Sequence, residues 1–372
     1  MKLYFIAGEA SGDLHGSDLI REIRKRRPGT EIRAWGGDLM EAQGATIVKH
    51  YRDLAFMGFT EVLMNLRTIL RNIDACKRDI ESYKPDAIVL IDYPGFNLRI
   101  ASFAKKRGIR VYYYISPQVW AWKSSRVHKI KAMVDRMFVI LPFEKDFYRE
   151  FDYEVDYVGH PLPDVIARMK SNFSDRQTFL KAHHLEDKPI IALLPGSRKQ
   201  EIESMLPPML ELVSHFPQCQ FVVAAAPSQP GNLYEAIIGR RKIRYIHEAT
   251  YELLANSLAA IVTSGTATLE TALMNVPQIV VYKGGRISYY IARSLVKVSY
   301  ISLVNLIMER EVVKELIQDE FNISNLKSEL TRITQPEGRK KILEDYADLQ
   351  EKLSAGGAAE RTAELILGDL EQ

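Results

Sequence analysis

Cysteine is scarce in this chain. Cys76 and Cys219 are the only two, far apart and without histidine at metal-ligand spacing. That excludes a disulfide framework, argues against a zinc site and fits a reducing compartment. Long apolar runs are missing too, since none approaches the roughly 20 residues that a membrane-spanning helix needs. The N-terminus begins directly with a strand pattern and lacks a basic segment before a long apolar one, so no signal peptide is expected. Net charge is small. Fifty Lys and Arg against 47 Asp and Glu leave a formal +3, which does not suit wholesale nucleic-acid binding. Low-complexity tracts and short repeats are absent. No G-x-G-x-x-G follows the first strand, so the dinucleotide fingerprint is not claimed.

What is present is a globular composition, 47% hydrophobic and 26% charged over 372 residues. That length is too great for one ordinary core, so two domains are expected. Short apolar runs alternate with helical spacing. Leu3–Ala7, Glu31–Gly36, Asp86–Asp92, Arg110–Ile115, Met137–Leu141 and Val155–Val158 read as strands of a first half. Pro189–Leu194, Gln220–Ala225, Ile243–Ile246, Ala259–Val262 and Gln278–Val281 read as strands of a second. Ser302–Asn305 reads as a turn before Val312–Ile317. Continuous apolar strands separated by helices predict an α/β fold with parallel sheets. Gly159–Pro163 reads as a hinge. The expected domains are 1–162 and 163–345. Helices over 346–372 are expected to pack back on the first domain or on a partner subunit.

Ligands in open parallel sheets bind beyond the carboxyl ends of the strands. The stretch Thr263–Thr271 leaves such a strand and opens a helix, with Ser264, Gly265 and Thr266 at the helix N-terminus. Free N–H groups there make an anion site. Glu270, one turn further on, could accept from ribose or sugar hydroxyls. The plain alternative is a hydroxyl-rich cap. Pro195-Gly196-Ser197-Arg198 repeats the strand–turn–helix logic, and Arg198 can meet a diphosphate bidentately. In the first half, Gly8–Asp13 is a turn that suits a ligand lying over the strand end. It offers Glu9, Ser11, Gly12, Asp13 and the nearby His15. Asp13 also reads as a first-turn helix charge. Asp92 emerges from a buried strand, and Pro94 and Gly95 separate it from the next helix, which makes it the general-base candidate. Gln118 with Trp120 and Trp122 could line a sugar site or simply anchor a loop. His160 could face a cleft or brace the hinge.

One stretch stands apart. Met57, Phe59, Val62, Leu63, Leu66, Ile69 and Leu70 form an apolar set too wide for one buried stripe, and Arg67, Arg71, Lys77 and Arg78 accompany or follow it. A broad apolar helix with a basic flank can lie in a membrane interface. The alternative is an inter-helix core. Met205, at a helix edge in the second half, could join the same face.

Taken in order, Gly8–Asp13, Ile91-Asp92 with Pro94 and Phe96-Asn97, Tyr157–Pro161, Leu194–Arg198, Thr263–Glu270 and Ser302–Asn305 resemble the lipid-A-disaccharide synthase family from residue 1 to about residue 320. Tyr93 and Val304 depart from the family pattern, and neither is expected to touch the chemistry. The resemblance implies two facing Rossmann-like domains of the GT-B type and an inverting glycosyltransferase. The implied donor is UDP-2,3-diacylglucosamine and the implied acceptor 2,3-diacylglucosamine 1-phosphate. The products would be the β(1→6)-linked disaccharide 1-phosphate and UDP. It also implies a peripheral enzyme on the cytoplasmic face of the inner membrane, in contact with anionic lipid. A homodimer is an open expectation.

On that mechanism Asp92 deprotonates the acceptor 6-hydroxyl, with Glu9 as second choice. Arg198, Ser197 and the Ser264–Thr266 helix end neutralise the leaving diphosphate. Glu270 takes the ribose, and Asn305 and Gln278 add polar contacts. No D-x-D pair is placed to hold Mg²⁺, so neither metal nor cofactor is expected. Two other readings stay open: a UDP-sugar 2-epimerase of similar fold, and a non-catalytic UDP-sugar or lipid-phosphate binding protein.

Overall fold

The computed structural model covers the whole chain and describes residues 1–54, 66–122, 126–284, 299–353 and 356–371. Two compact units appear, Met1–Pro161 with Gly356–Gln372, and Leu162–Ala355. In the first unit seven strands form one sheet: β1 Lys2–Ala7, β2 Glu31–Gly36, β3 Thr46–His50, β4 Ala87–Ile91, β5 Arg110–Tyr114, β6 Arg136–Val139 and β7 Asp156–Tyr157. Their order is β3-β2-β1-β4-β5-β6-β7. Six strands form the sheet of the second unit: β8 Ile190–Leu194, β9 Gln220–Ala225, β10 Arg244–His247, β11 Ser257–Thr263, β12 Gln278–Tyr282 and β13 Lys314–Ile317. Their order is β10-β9-β8-β11-β12-β13. Every pairing is parallel. Successive strands are joined by helices, as parallel pairing requires.

Period-2 alternation sorts the first sheet's core into two layers. Tyr4 and Ile6 of β1 face one way, with Ile73, Cys76 and Ile80 of the Leu66–Tyr83 helix and Ile100 and Ala104 of the Pro94–Lys106 helix. Leu3, Phe5 and Ala7 face the other way, with Leu19, Ile20 and Ile23 of the Ala10–Arg26 helix. The same layer takes Ala358, Ala363, Ile366 and Leu367 from the last helix, Ala358–Leu370. Arg26 pairs with Glu360 and Glu364 at 2.8 and 2.9 Å. The Arg361 guanidinium donates to the Val158 carbonyl, and Tyr112 donates to Asp369 at 2.5 Å.

Three expectations change. The segment expected over 346–372 divides, because the Pro336–Lys352 helix lies wholly in the second unit and only the last helix joins the first. The helix after Asp92 begins at Pro94 itself, so Pro94 and Gly95 form its first turn and do not separate Asp92 from it. Proline fits the first helical position, where its missing N–H costs nothing. Ser302–Asn305 opens a helix, Leu303–Met308, capped by the Ser302 side chain. The half-buried edge strand β3 has too few apolar residues in sequence to announce itself.

Candidate functional site

Each sheet reverses its direction of growth at one point, between β1 and β4 in the first unit and between β8 and β11 in the second. In open parallel sheets, ligands bind in the crevice beyond the strand ends at such a point. Glu9, Asp92, Ser197, Arg198, Ser264 and Thr266 follow the strands that meet at these two points.

At the first, Ala7 pairs with Ile91, so Gly8-Glu9 and Asp92 leave adjacent strands side by side. Asp92 and Tyr93 both have left-handed backbone, with φ of 42° and 49°. Such conformations are strained for non-glycine residues and persist only where the surroundings hold them. Here the Asp92 carbonyl accepts from the Asn97 side chain at 2.7 Å and the Tyr113 hydroxyl at 2.6 Å, and Asn97 also donates to the Ile91 carbonyl. Both holders are completely buried. Asp92 itself is exposed, yet the protein around its carboxyl group desolvates it, and the Glu9 charge adds to the effect. Together they lift its pKa to about 6. A carboxylate poised there suits a base near neutral pH. Gly8 is required by the Tyr93 ring, which a Cβ at Gly8 would approach within 2.4 Å. Tyr93, thought remote from the chemistry, thus forms the floor beside Glu9 and Asp92.

Other first-unit candidates divide. Ser11 and Gln118 are exposed. Gly12 is buried against Ala7, whose Cβ a Gly12 Cβ would meet at 2.9 Å. His15 lies near enough to the buried His160 for its charge to count. Burial first, and His15 second, depress His160 to about 3, so it stays neutral. Asp13 is not a ligand group. It is 2% exposed, and its carboxylate accepts from the N–H groups of Gly37, Leu39 and Met40, capping the Asp38–Ala42 helix.

At the second switch point Val262 pairs with Leu194, which sets the turn after β8 beside the turn after β11. Gly196 has a φ of 107°, and a Cβ there would meet Glu201 at 2.8 Å. The Glu201 carboxylate accepts from the backbone N–H groups of Ser197 and Arg198, both at 3.2 Å. The helix N-terminus expected to receive phosphate at Ser197 is therefore already capped. The Arg198 side chain is 69% exposed and, among the described residues, makes only a long 3.4 Å contact to Glu201. Ser264 is likewise committed, its N–H to Val281 and its hydroxyl to Ile301. Gly265 and Thr266 are exposed, and no side chain caps the Thr266–Leu273 helix they begin. Glu270 accepts from the Tyr251 hydroxyl at 3.0 Å, and burial raises its pKa.

Two residues expected to bind ligand are structural. Gln278 is fully buried and donates to the Thr268 carbonyl and the Tyr346 hydroxyl. Asn305 is fully buried and bonds to Val312, Val313 and Glu315. Both were polar residues at element ends, and sequence cannot tell an inward amide from an outward one.

Met57, Phe59, Val62 and Leu63 lie outside the described residues, as does the Leu66 side chain. Ile69 packs partly on the core, whereas Leu70 is 45% exposed on a face with Arg67, Arg71 and Arg78. Met205 is 1% exposed. The Lys199–Glu211 helix turns it inward with Ile202, Leu206 and Met209, so it belongs to the core, not to a membrane face.

Among the described residues no helix is long and apolar enough to cross a membrane. Nor do three His, Cys, Asp or Glu side chains gather there as a metal site.

Comparison with known proteins gives a concordant result. The family model for lipid-A-disaccharide synthetase matches residues 3–366. The chain is 43% identical to the lipid-A-disaccharide synthase of Syntrophus aciditrophicus, covering 97% of this chain and 96% of that one. It is 38% identical to that of Myxococcus xanthus, covering 98% and 97%. Among solved structures, the UDP-GlcNAc 2-epimerase of Neisseria meningitidis, bound to UDP-GlcNAc, superposes with a TM-score of 0.71 at 14% identity, over 99% of this chain and all of that one. The calicheamicin glycosyltransferase CalG4 gives 0.60 at 16%, over 100% and 98%. These two likenesses establish a fold common to glycosyltransferases and epimerases, the GT-B architecture of two parallel α/β units. The family match and the full-length relatives go further: the chain belongs to the lipid-A-disaccharide synthase family.

Proposed function

We propose that the chain condenses UDP-2,3-diacylglucosamine with 2,3-diacylglucosamine 1-phosphate, forming the β(1→6)-linked disaccharide 1-phosphate and UDP. The observation that carries the mechanism is Asp92, held on strained backbone at the first switch point with a pKa near 6. Asp92 takes the proton of the acceptor 6-hydroxyl as the oxygen attacks the anomeric carbon. The sugar's configuration inverts, and the electron pair of the breaking bond leaves with UDP. Arg198 and the uncapped helix end at Gly265–Thr266 meet the charge that grows on the diphosphate. Glu270, oriented by Tyr251, accepts from the ribose hydroxyls. The test is UDP release with and without the lipid acceptor, with the product identified by mass spectrometry. A disaccharide formed only with acceptor supports the reading. A UDP-sugar epimer formed without acceptor would establish the epimerase instead, and UDP binding without turnover a binding protein.

Charge neutralisation by an arginine and a helix end makes a divalent cation unnecessary in this scheme. Turnover is therefore expected to be unchanged in EDTA. Loss on chelation with recovery in Mg²⁺ would show that the arginine and helix dipole do not suffice.

The acyl chains of both substrates place the reaction at a bilayer surface. The exposed face of Arg67, Leu70, Arg71 and Arg78 suits the anionic inner leaflet, as a peripheral attachment from the cytoplasmic side. Basic groups near such a surface contribute about 1 kcal/mol each. Arg67→Glu with Arg71→Glu should cut sedimentation with anionic phospholipid vesicles by at least tenfold. Added salt should do the same to the unaltered protein. Equal sedimentation of the double variant, with an unchanged melting temperature, would remove this face from the membrane reading.

A further inference from the structure

The cluster around Glu315 is a heavily bonded polar group of the second unit that the mechanism above leaves unused. Glu315 lies on β13 and is 8% exposed. Its carboxylate accepts from the N–H groups of Ile301 at 3.0 Å and Ser302 at 2.9 Å, the Ser302 hydroxyl at 2.8 Å and the Asn305 amide at 2.9 Å. Asn305 in turn accepts from the N–H groups of Val312 and Val313 at 2.8 and 3.0 Å and donates to the Val313 carbonyl. Burying a carboxylate is costly unless its lone pairs are filled. An apolar residue on β13 would serve the core at less cost, so a fully satisfied polar cluster points to a positional task.

That task is visible one bond further on. Glu315 holds the N–H of Ile301, and the carbonyl of Ile301 holds the Ser264 hydroxyl at 2.8 Å. Ser264 is also tied to Val281 through its N–H. It directly precedes Gly265, the uncapped start of the Thr266–Leu273 helix. Four elements thus converge on one residue: β13, the turn at 299–302, the end of β11 and the end of β12.

We propose that Glu315 is a positioning residue for nucleoside-diphosphate binding. Through Ile301 it braces Ser264, and Ser264 sets the direction of the N–H groups at Gly265 and Thr266. The proposal rests on reading that helix end as the diphosphate site. It also gives the Ser302–Asn305 motif a function, as the clamp that holds Glu315 in place.

The test uses Glu315→Gln in the full chain, which keeps the shape but turns an amide N–H towards N–H donors. UDP affinity by calorimetry and the donor KM should each worsen about tenfold with the circular dichroism spectrum retained, and kcat should fall as well, because the same N–H groups meet the charge that grows on the diphosphate. A purely structural role would lower the melting temperature and the active fraction without moving either constant. Ser264→Ala should weaken UDP to a similar degree, and adding it to Glu315→Gln should cost little more. A folded Glu315→Gln with unaltered UDP affinity and KM, alongside an Arg198→Ala variant that does lose UDP, would overturn the brace. If Arg198→Ala and Thr266→Pro, which removes a backbone N–H at a first helical position that suits proline, both keep full UDP affinity, the diphosphate reading fails and takes the brace with it. Should Glu315→Gln not fold, Ser302→Ala removes one bond to the carboxylate and is judged by the same criteria.

Discussion

Asp92→Asn is expected to fold normally, bind the UDP-sugar with little change and lose roughly 10²–10⁴ in kcat, the usual worth of a general base. The carbonyl of residue 92 is what Asn97 and Tyr113 hold, and an Asn substitution leaves that carbonyl in place. Asn also tolerates left-handed backbone better than most residues. The loss should therefore fall on the chemical step. The pH profile sharpens the test. Burial first, then the Glu9 charge, raise the Asp92 pKa to about 6. The basic form is the charged one, so kcat/KM should fall as pH drops through about 6. Removing the nearby negative charge in Glu9→Gln stabilises ionised Asp92, so the acid limb should move to lower pH. Near-normal turnover in purified Asp92→Asn would pass the role of base to Glu9. An acid limb that stays put in Glu9→Gln would show that the limb belongs to another group.

Arg198→Ala should weaken UDP binding and lower kcat together, because negative charge on the diphosphate grows as the glycosidic bond breaks. A lost charged hydrogen bond is worth about 1.5–3 kcal/mol, which is about 10- to 150-fold in affinity. The fold should be untouched, since the side chain is 69% exposed and, among the described residues, contacts only Glu201, at 3.4 Å. Lysine should restore part of the binding and little of the rate, because it lacks the planar fork that meets two oxygens at once. UDP calorimetry and steady-state rates for the Ala and Lys variants decide the matter. Unchanged affinity and unchanged kcat in Arg198→Ala would place the diphosphate elsewhere.

The strand ends were legible in the sequence because parallel strands buried on both faces must be continuous apolar runs. Their termini therefore mark themselves by the first polar or glycine residue. Asp92, Gly196 and Gly265 were found in that way. Side-chain direction was not legible. Asp13, Gln278, Asn305 and Met205 stand near elements that carry function, but each turns inward to satisfy a backbone or a core. A shift of one residue along a helix or a strand decides between the two fates, and composition does not encode it. The supports were invisible for a related reason. Tyr113 reaches Asp92 from the next strand, and Tyr251 reaches Glu270 from a separate helix. Those pairings depend on sheet order, which no local pattern specifies.

The last helix closes a layer of the first unit's core, so that unit is assembled from both ends of the chain with the second unit inserted between. During synthesis, at about 5–20 residues per second, the ribosome reaches the whole of the second unit before it makes residues 358–370. Leu19, Ile20 and Ile23 wait that long, roughly tens of seconds, for their partners in the last helix. The strands of the first unit are all made earlier, but the inserted unit is the first to be complete and can reach its native state first. The older half of the polypeptide is the last to mature. Premature termination near residue 355 would leave a nascent product with one finished half and one apolar groove open to chaperones and proteases, a failure that acts on abundance and not on catalysis.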